Sequence, residues 1–576
     1  ARVRHLATGL VPLALLALAA AGPGCAGDPG AAGPAGTNGK DGVVGTDGTD
    51  GTNGTDGTNG TDGTSGKDGV SPVVDQSLSP IEKAILAIGG KAAIGSLKTV
   101  TIDTAGSRWV SGEGYEPEDP AAQVSTFQVL INADLAANDL RLDYVRDLTV
   151  LGFNTKTTFS EILKDKLGFI SGVEHLFGYP SGDMLSDRWA STRKQQRLLN
   201  PHFILRDAAA DPTIVSDAGF AVLDGSVHHL VDIKDRTHPV TLFVNVQTGT
   251  IDKAATVESH HLERDIDLEV FYHGWKPAGG GLLFPSDVYL AADGLIVHQE
   301  ARSSIKVNEA IDAKLFDFPA GAKPVFDQTA ADRGDANHQF HQSFASFGIP
   351  LDGEQTFVQE SLLAPNVHYL LGGSHNSILV EQAAGLVLLE APLYEARSNA
   401  ILGWAKSAFP TKPITHVIAT HFHTDHAAGL RTFVAAGAKI VVGESSAAFF
   451  KELFKASSTV VPDALAKSPK AAVLITVPAG GSYTIADATA PVAAYDVQNP
   501  HADGMLLGYL PTSHIAFNSD LFNPATPAFV APPFLAGGKA LYQSITVTHQ
   551  IQVDLMAGGH GGAPNTFAEF KAALGL

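Results

Sequence analysis

Residues 415–430 read THVIATHFHTDHAAGL, and the rest of the chain is best read outward from them. Ile414–Thr420 is an apolar run of strand length, and a helical pattern begins near Gly429. Between them stands His421-Phe-His423-Thr-Asp425-His426, an H-x-H-x-D-H cluster. At the histidine content of this chain, such a cluster arises by accident in roughly 0.2% of sequences of this size. Its place also matters, because loops at strand ends are where a rigid scaffold presents chemical groups. Neutral imidazole is the commonest ligand of zinc-like divalent ions, and carboxylates suit a position shared by two cations.

Upstream, Pro365–Leu371, Ser377–Gln382 and Leu386–Glu390 are apolar runs of strand length, followed by a helical stretch over Glu395–Phe409. Downstream, three more ligand-type residues occur in structured contexts. His501 in PHADGMLLGYL precedes a strand, Asp520 in HIAFNSDLF ends one, and His560 in MAGGHGG sits in a glycine-rich turn. His514 lies close enough to compete with His501, whereas His416 and His549 fall in strand-like runs and read as structural.

THVIATHFHTDHAAGL resembles the defining segment of the metallo-β-lactamase-fold hydrolases. The resemblance covers about the last 230 residues and implies an α/β fold, the αβ/βα four-layer sandwich, over 340–576. It further implies two divalent metal ions, zinc first, with iron or manganese as alternatives. Carried over residue by residue, His421, His423 and His501 would bind one ion and Asp425, His426 and His560 the other, with Asp520 between them. Asp425 is the implied catalytic residue, orienting the attacking water and taking its proton. True β-lactamases of this fold generally lack the bridging Asp, and one class has Cys there; this chain has Asp520 and no cysteine beyond Cys25. The ligand set therefore resembles that of glyoxalase II, lactonases and related ester or thioester hydrolases acting on small molecules. The di-iron H-x-E-x-D branch is disfavoured because His423 replaces its Glu. Glu390 stands where many members carry Asp, which implies an altered outer-shell contact. Two alternatives remain open: β-lactamase activity, and a non-catalytic surface-binding protein with a vestigial metal fold.

Residues 72–330 read as a β-rich α+β domain of unknown function. The sequence predicts one helix over Pro80–Ile94, strands such as Thr99–Thr104, Thr126–Ile131, Leu140–Val145, Asp267–Tyr272 and Asp287–Ala291, and a Pro-Ala-Gly closure at 319–321. The clearest hairpin pairs Val240–Gln247 with Ile251–Glu258 across Thr248-Gly249-Thr250. This pattern suggests an antiparallel sheet or half-barrel, similar to those of periplasmic lipoprotein carriers. His228-His229 and His260-His261 read as structural, because neighbours on a strand point to opposite faces.

The amino terminus reads as an export signal and a tether. Arg2 and Arg4 precede the uncharged Leu10–Ala21, too short to span ~30 Å of hydrocarbon as a helix. Cys25 follows and resembles the lipidated cysteine of a bacterial lipoprotein, with Gly22 where Leu is usual; residues 1–25 would then be the signal and lipidation site. Within 26–71, fifteen unbroken Gly-X-Y triplets run from Gly27 to Ser71 with only Pro29 and Pro34 as imino acids. They form either a collagen-like stalk, which would make the chain a homotrimer, or a disordered solvated spacer. The expected location is extracytoplasmic: a membrane lipoprotein anchored through Cys25, or a secreted protein if that cysteine is unmodified. Sixty acidic residues against 39 basic, a net charge of −21, argue against a nucleic-acid partner. A single cysteine excludes both an intramolecular disulfide and a Cys-rich zinc module.

Overall fold

In the strand Thr99–Val110, Val100, Ile102 and Thr104 are buried while Asp103 and Ala105 face solvent, the two-residue alternation of a sheet with one covered face. A computed structural model of the chain describes residues 77–576, apart from 151–153, 177–180, 235–238, 355, 526, 529 and 531. Cys25 and the Gly-X-Y triplets lie outside the described residues. Among the described residues no helix is long and apolar enough to cross a membrane.

Thr99–Val110 lies in the middle of a 13-stranded sheet in which every pairing is antiparallel. One meander runs outward from it through Ala122–Asp134 and Asp139–Leu148 to a short edge strand, Gly182–Asp183. A second meander starts at the opposite edge with Val215–Leu223 and returns to the centre, where Leu295–Val307 pairs with Thr99–Val110. The expected hairpin is present with shorter arms, Val240–Asn245 and Ile251–His260. The single helix expected over Pro80–Ile94 is two, Pro80–Ala87 and Lys91–Gly95. Gly89 and Gly90 break it with φ of 136° and 88°, a backbone that glycine reaches without strain.

Two helices not anticipated from the sequence, Ser186–Leu199 and Pro201–Ala210, connect the meanders. Ser186–Leu199 is polar yet mostly buried, because its charges meet partners on both halves of the sheet. Arg188 pairs with Glu161 and Glu174, and Lys194 Nζ lies 2.7 Å from Glu258 Oε1. His338, on the helix His338–Phe347, donates to the same Glu258 at 2.5 Å. His229 bonds Asp217 on the neighbouring strand and His228 bonds Asp252 two strands away, both at 2.9 Å. His260 and His261 pack edge-on against the Phe340 ring.

The C-terminal region is a four-layer α/β sandwich. Its seven-stranded sheet begins with four antiparallel strands, Gln359–Ala364, Val367–Leu371, Ser377–Glu381 and Leu386–Leu389. It continues in parallel through Ile414–Ile418, Lys439–Gly443 and Leu474–Val477. A six-stranded sheet faces it, and the layer between them holds Leu389, Ile418 and Val441 against Leu506, Ile515 and Phe517. Full burial of each such side chain contributes about 1.5–3 kcal/mol. The sheets approach closely at Gly508, where a Cβ would stand 2.3 Å from Leu389 Cδ2. Helices Glu395–Ala408, Leu430–Ala436 and Ala447–Leu453 cover the outer face of the first sheet, and Pro532–Gln543 and Phe567–Ala573 that of the second. This arrangement leaves one sandwich edge, at the carboxyl ends of the parallel strands, free to carry loops.

Candidate metal centre

The strand Ile414–Ile418 ends one turn before His421, and the chain then closes into the short helix Thr424–Ala427, with His423 at its N-cap. The next parallel strand, Lys439–Gly443, sends the chain away, so the H-x-H-x-D-H residues stay at the carboxyl edge. Asp520 follows the strand Ile515–Asn518 of the facing sheet, and His560 follows Leu555–Gly558, which runs parallel to it. His501 sits in the loop before Leu506–Leu510.

These loops converge on two groups whose ligand-type atoms lie within 4.8 Å of one another. One is His421, His423, His501 and Asp520; the other is His375, Asp425, His426 and His560. Asp520 stands between them. Its Oδ2 is 3.3 Å from His421 Nε2, 3.1 Å from His501 Nε2 and 2.9 Å from His426 Nε2, while Oδ1 is 3.1 Å from His560 Nε2. His426 and His560 face each other with Nε2 atoms 3.2 Å apart. Ligands about 2.0–2.1 Å from a shared tetrahedral ion stand about 3.3 Å apart, so this spacing suits divalent cations.

Outer partners turn most of these rings. Glu390 accepts from His426 Nδ1 at 2.5 Å and also bonds the Thr420 and Ser519 hydroxyls, leaving His426 Nε2 facing inward. The outer-shell contact expected to be altered is thus supplied by Glu390 itself. Thr420 Oγ1 lies 3.1 Å from His421 Nδ1, and the Ser374 carbonyl 3.0 Å from His560 Nδ1. Gly559 must lack a side chain, since its Cβ would fall 2.8 Å from Glu390 Oε1. Glu390 and Asp520 hold positive φ of 72° and 63°, backbone strain of the kind that accumulates at functional sites.

The electrostatics favour cations. Burial, and then the neighbouring His426 and His423 rings, push the His421 imidazole well below its usual pKa. Burial and His501 push His423 down to about 3, and burial and His560 push His375 to about 3. These three rings are therefore neutral and need shed no proton to bind a metal. His426 and His560 differ: burial opposes their charge, but Asp425, Asp520 and Glu390 outweigh it and hold His426 well above its usual value, and Asp520 likewise raises His560. The same carboxylates would favour metal ions in place of those protons. His421 Nε2 is buried and makes no hydrogen bond, an orphaned acceptor that a cation satisfies. The residues present therefore fit a pair of divalent ions.

The sequence profile of the metallo-beta-lactamase superfamily matches residues 370–523. This region is a metallo-β-lactamase superfamily domain. His560 lies beyond the matched residues. No curated protein matches the chain. Among solved structures, the inverting sec-alkylsulfatase Pisa1 from a Pseudomonas species aligns at 16% identity and a TM-score of 0.29, over 38% of this chain and 40% of its own. The metallo-β-lactamase FIM-1 from Pseudomonas aeruginosa, in its mono-zinc form, aligns at 14% identity and 0.30 over 38% of this chain and 94% of its own. The metallo-β-lactamase DIM-1 aligns at 14% and 0.29 over 39% and 98%. This chain thus spans less than half the length of the alkylsulfatase. Members of the superfamily are hydrolases, and the fold typically binds two metal ions.

The C-terminal sandwich brings His421, His423, Asp425, His426, His501, Asp520 and His560 to one place. His514 points elsewhere and bonds Asp554 at 2.9 Å. His416 bonds its neighbour Thr415, and His549 the Asp496 carbonyl at 2.8 Å, away from the centre. Two residues at the centre were not anticipated. His375 Nε2 lies 3.0 Å from Asp425 Oδ2, and its ring packs 4.1 Å from that of His560. The loop Gly-Gly-Ser-His-Asn between two strands is a readable signal once strand directions put it at the same edge as His421. Glu113, at the tip of the first sheet's opening hairpin, has Oε2 3.6 Å from His423 Nδ1, and nothing local in the sequence marks it.

Proposed function

We propose that the chain is a di-metal hydrolase, with zinc the preferred ion, that cleaves an ester, thioester or lactone-type bond in a small molecule. The observation carrying this reading is the Asp520 carboxylate, which touches His421 and His501 on one side and His560 on the other. When bound, a pair of divalent ions supplies Lewis acidity toward a carbonyl oxygen and lowers the pKa of water toward 7. His421, His423 and His501 would hold one ion, Asp425, His426 and His560 the other, and Asp520 would span both. His375 fixes Asp425 through Oδ2, as do the weaker contacts from His426 at 3.4 Å and His560 at 3.7 Å. Among the described residues these contacts all fall on Oδ2, which leaves Oδ1 to orient water and take its proton.

Metal analysis of the full chain tests the reading. Wild type should purify with about two equivalents of zinc, and His421→Ala and Asp520→Ala should each lose metal; retention in both would refute the ligand assignment. Chromogenic ester, thioester, lactone, phosphodiester and cephalosporin substrates then separate the substrate classes. We also propose that the enzyme works outside the cytoplasm on a lipid anchor, a reading supported by Leu10–Ala21 and the solitary Cys25. Fatty-acid labelling of the exported chain should disappear in Cys25→Ser.

A further inference from the structure

We propose that the tip of the first sheet's opening hairpin, Gly112–Tyr115, is a built part of the metal centre: the Gly114 carbonyl positions His423, and the Tyr115 carbonyl holds the loop that carries His501. This rests on the di-metal reading and gives the β-rich sheet a role in it. The tip joins the strands Thr99–Val110 and Ala122–Asp134, 309 residues before the side chain it meets. His423 Nε2 lies 2.8 Å from the Gly114 carbonyl oxygen. A carbonyl only accepts, so the single N–H of the neutral ring stands on Nε2, and Nδ1 keeps its lone pair for a cation. Ligating histidines are regularly oriented this way by an outer acceptor.

Two further contacts fix the tip over the centre. The Thr424 backbone N–H donates to Glu113 Oε1 at 3.3 Å, and the Asp503 N–H donates to the Tyr115 carbonyl at 2.7 Å. The hairpin therefore grips both the H-x-H-x-D-H loop and the His501 loop. The tip supports its own shape: Asp119 accepts from the Glu116 N–H at 3.0 Å and returns its N–H to the Glu116 carbonyl at 3.1 Å. Glycine is needed at 114, where a Cβ would stand 2.5 Å from Asp119 Cβ. Tyr115 contributes only backbone, its side chain being exposed. His423 and His501 are thus held in place by a segment from outside the metallo-β-lactamase domain.

The test uses the full-length chain labelled with [15N]histidine, with the His423 signals assigned by their loss in His423→Gln. Metal-free wild type should show His423 protonated on Nε2. Gly114→Ala, which drives the tip away from Asp119, should disturb that signature and weaken one of the two zinc ions by about 10–100-fold, the usual effect of losing an outer partner. Tyr115→Ala, which keeps the carbonyl, should change neither. Wild-type His423 protonated on Nδ1 would overturn the proposal. So would an unchanged signature and zinc affinity when Gly112–Asp119 is replaced by a two-residue Asn-Gly turn in a chain that still melts cooperatively. A wild type that binds no divalent ion refutes the hydrolase reading instead, and the His423 tautomer then decides the role of the tip by itself.

Discussion

Glu390→Gln is the sharpest probe of how the centre is built. The carboxylate is fully buried and serves three donors, with His426 Nδ1 on Oε1 and the Thr420 and Ser519 hydroxyls on Oε2. Glutamine fills the same space. Its carbonyl can keep His426, and its amide can meet the two hydroxyls, which rotate to accept. What disappears is the charge assistance on the His426 bond, which takes a hydrogen bond from about 1.5–3 kcal/mol to about 1 kcal/mol. A loss of that size matches the 10–100-fold fall in metal affinity, about 1.4–2.7 kcal/mol, seen when outer partners of metal-binding histidines are removed. Chelator competition on the full chain should find one of the two zinc equivalents weakened by that factor and the other within about threefold of wild type. The measurement belongs at pH 8. Glu390 is also among the carboxylates that raise His426, so near pH 6 its removal eases proton competition and masks the effect. Two unchanged equivalents in a folded Glu390→Gln chain would refute the positioning of His426 by Glu390.

Three other outcomes follow from the same reasoning. His375→Ala removes the 3.0 Å contact to Asp425 Oδ2 and should weaken the ion held by Asp425, His426 and His560 by about 10–100-fold in the same competition assay. Arg188→Leu leaves Glu161 and Glu174 buried without their cation and should cost about 3–5 kcal/mol in urea unfolding. In the metal-free protein, burial pushes His202 down to about 3 and His260 and His298 to about 4, so the unfolded chain takes up protons that the folded one refuses. Their stabilisation is complete above the unfolded pKa of about 6.5 and is lost as pH falls toward 4, each group adding up to about 1.4 kcal/mol per pH unit of slope. Urea midpoints between pH 7 and 4.5 should fall steeply, and less so in His202→Gln.

The metal centre was legible in the sequence to the extent that its chemistry is local. Four of its residues fall within His421–His426, and the strand before them and the helix after them are marked by ordinary periodicity. His375 was missed because a lone histidine in a loop carries no weight until the antiparallel pairing of Ser377–Glu381 with Leu386–Leu389 puts that loop at the right edge. The helix Ser186–Leu199 was missed for a different reason. Helix recognition relies on an apolar stripe, and here Arg188, Lys194 and Gln195 are buried through ion pairs and hydrogen bonds rather than apolar contact. Gly114 had no signal at all, since its contribution is a backbone carbonyl delivered across the fold.

Two of the buried acidic clusters among the described residues differ in the charges set against them. In the first sheet, Glu161 and Glu174 share Arg188, and Glu258 has Lys194 and His338. Each of those carboxylates has an arginine or lysine against it. At the carboxyl edge of the sandwich, Asp425, Asp520, Glu390 and Glu113 are gathered with histidines alone; among the described residues no lysine or arginine is paired with any of them. Burial, and then Asp425, hold the Glu113 carboxyl well above the usual carboxylate range, so it keeps its proton, and burial of unpaired charge costs several kcal/mol per ion. Burial opposes charge on His426 and His560, but the carboxylates outweigh it and raise both rings, so protons stand where no lysine or arginine does. Divalent cations would bring positive charge in place of those protons, and the ring nitrogens facing Asp520 are the ligands such cations require. The same fold thus contains an acidic cluster paired with arginine and lysine, and one gathered with histidines whose donor set fits divalent cations.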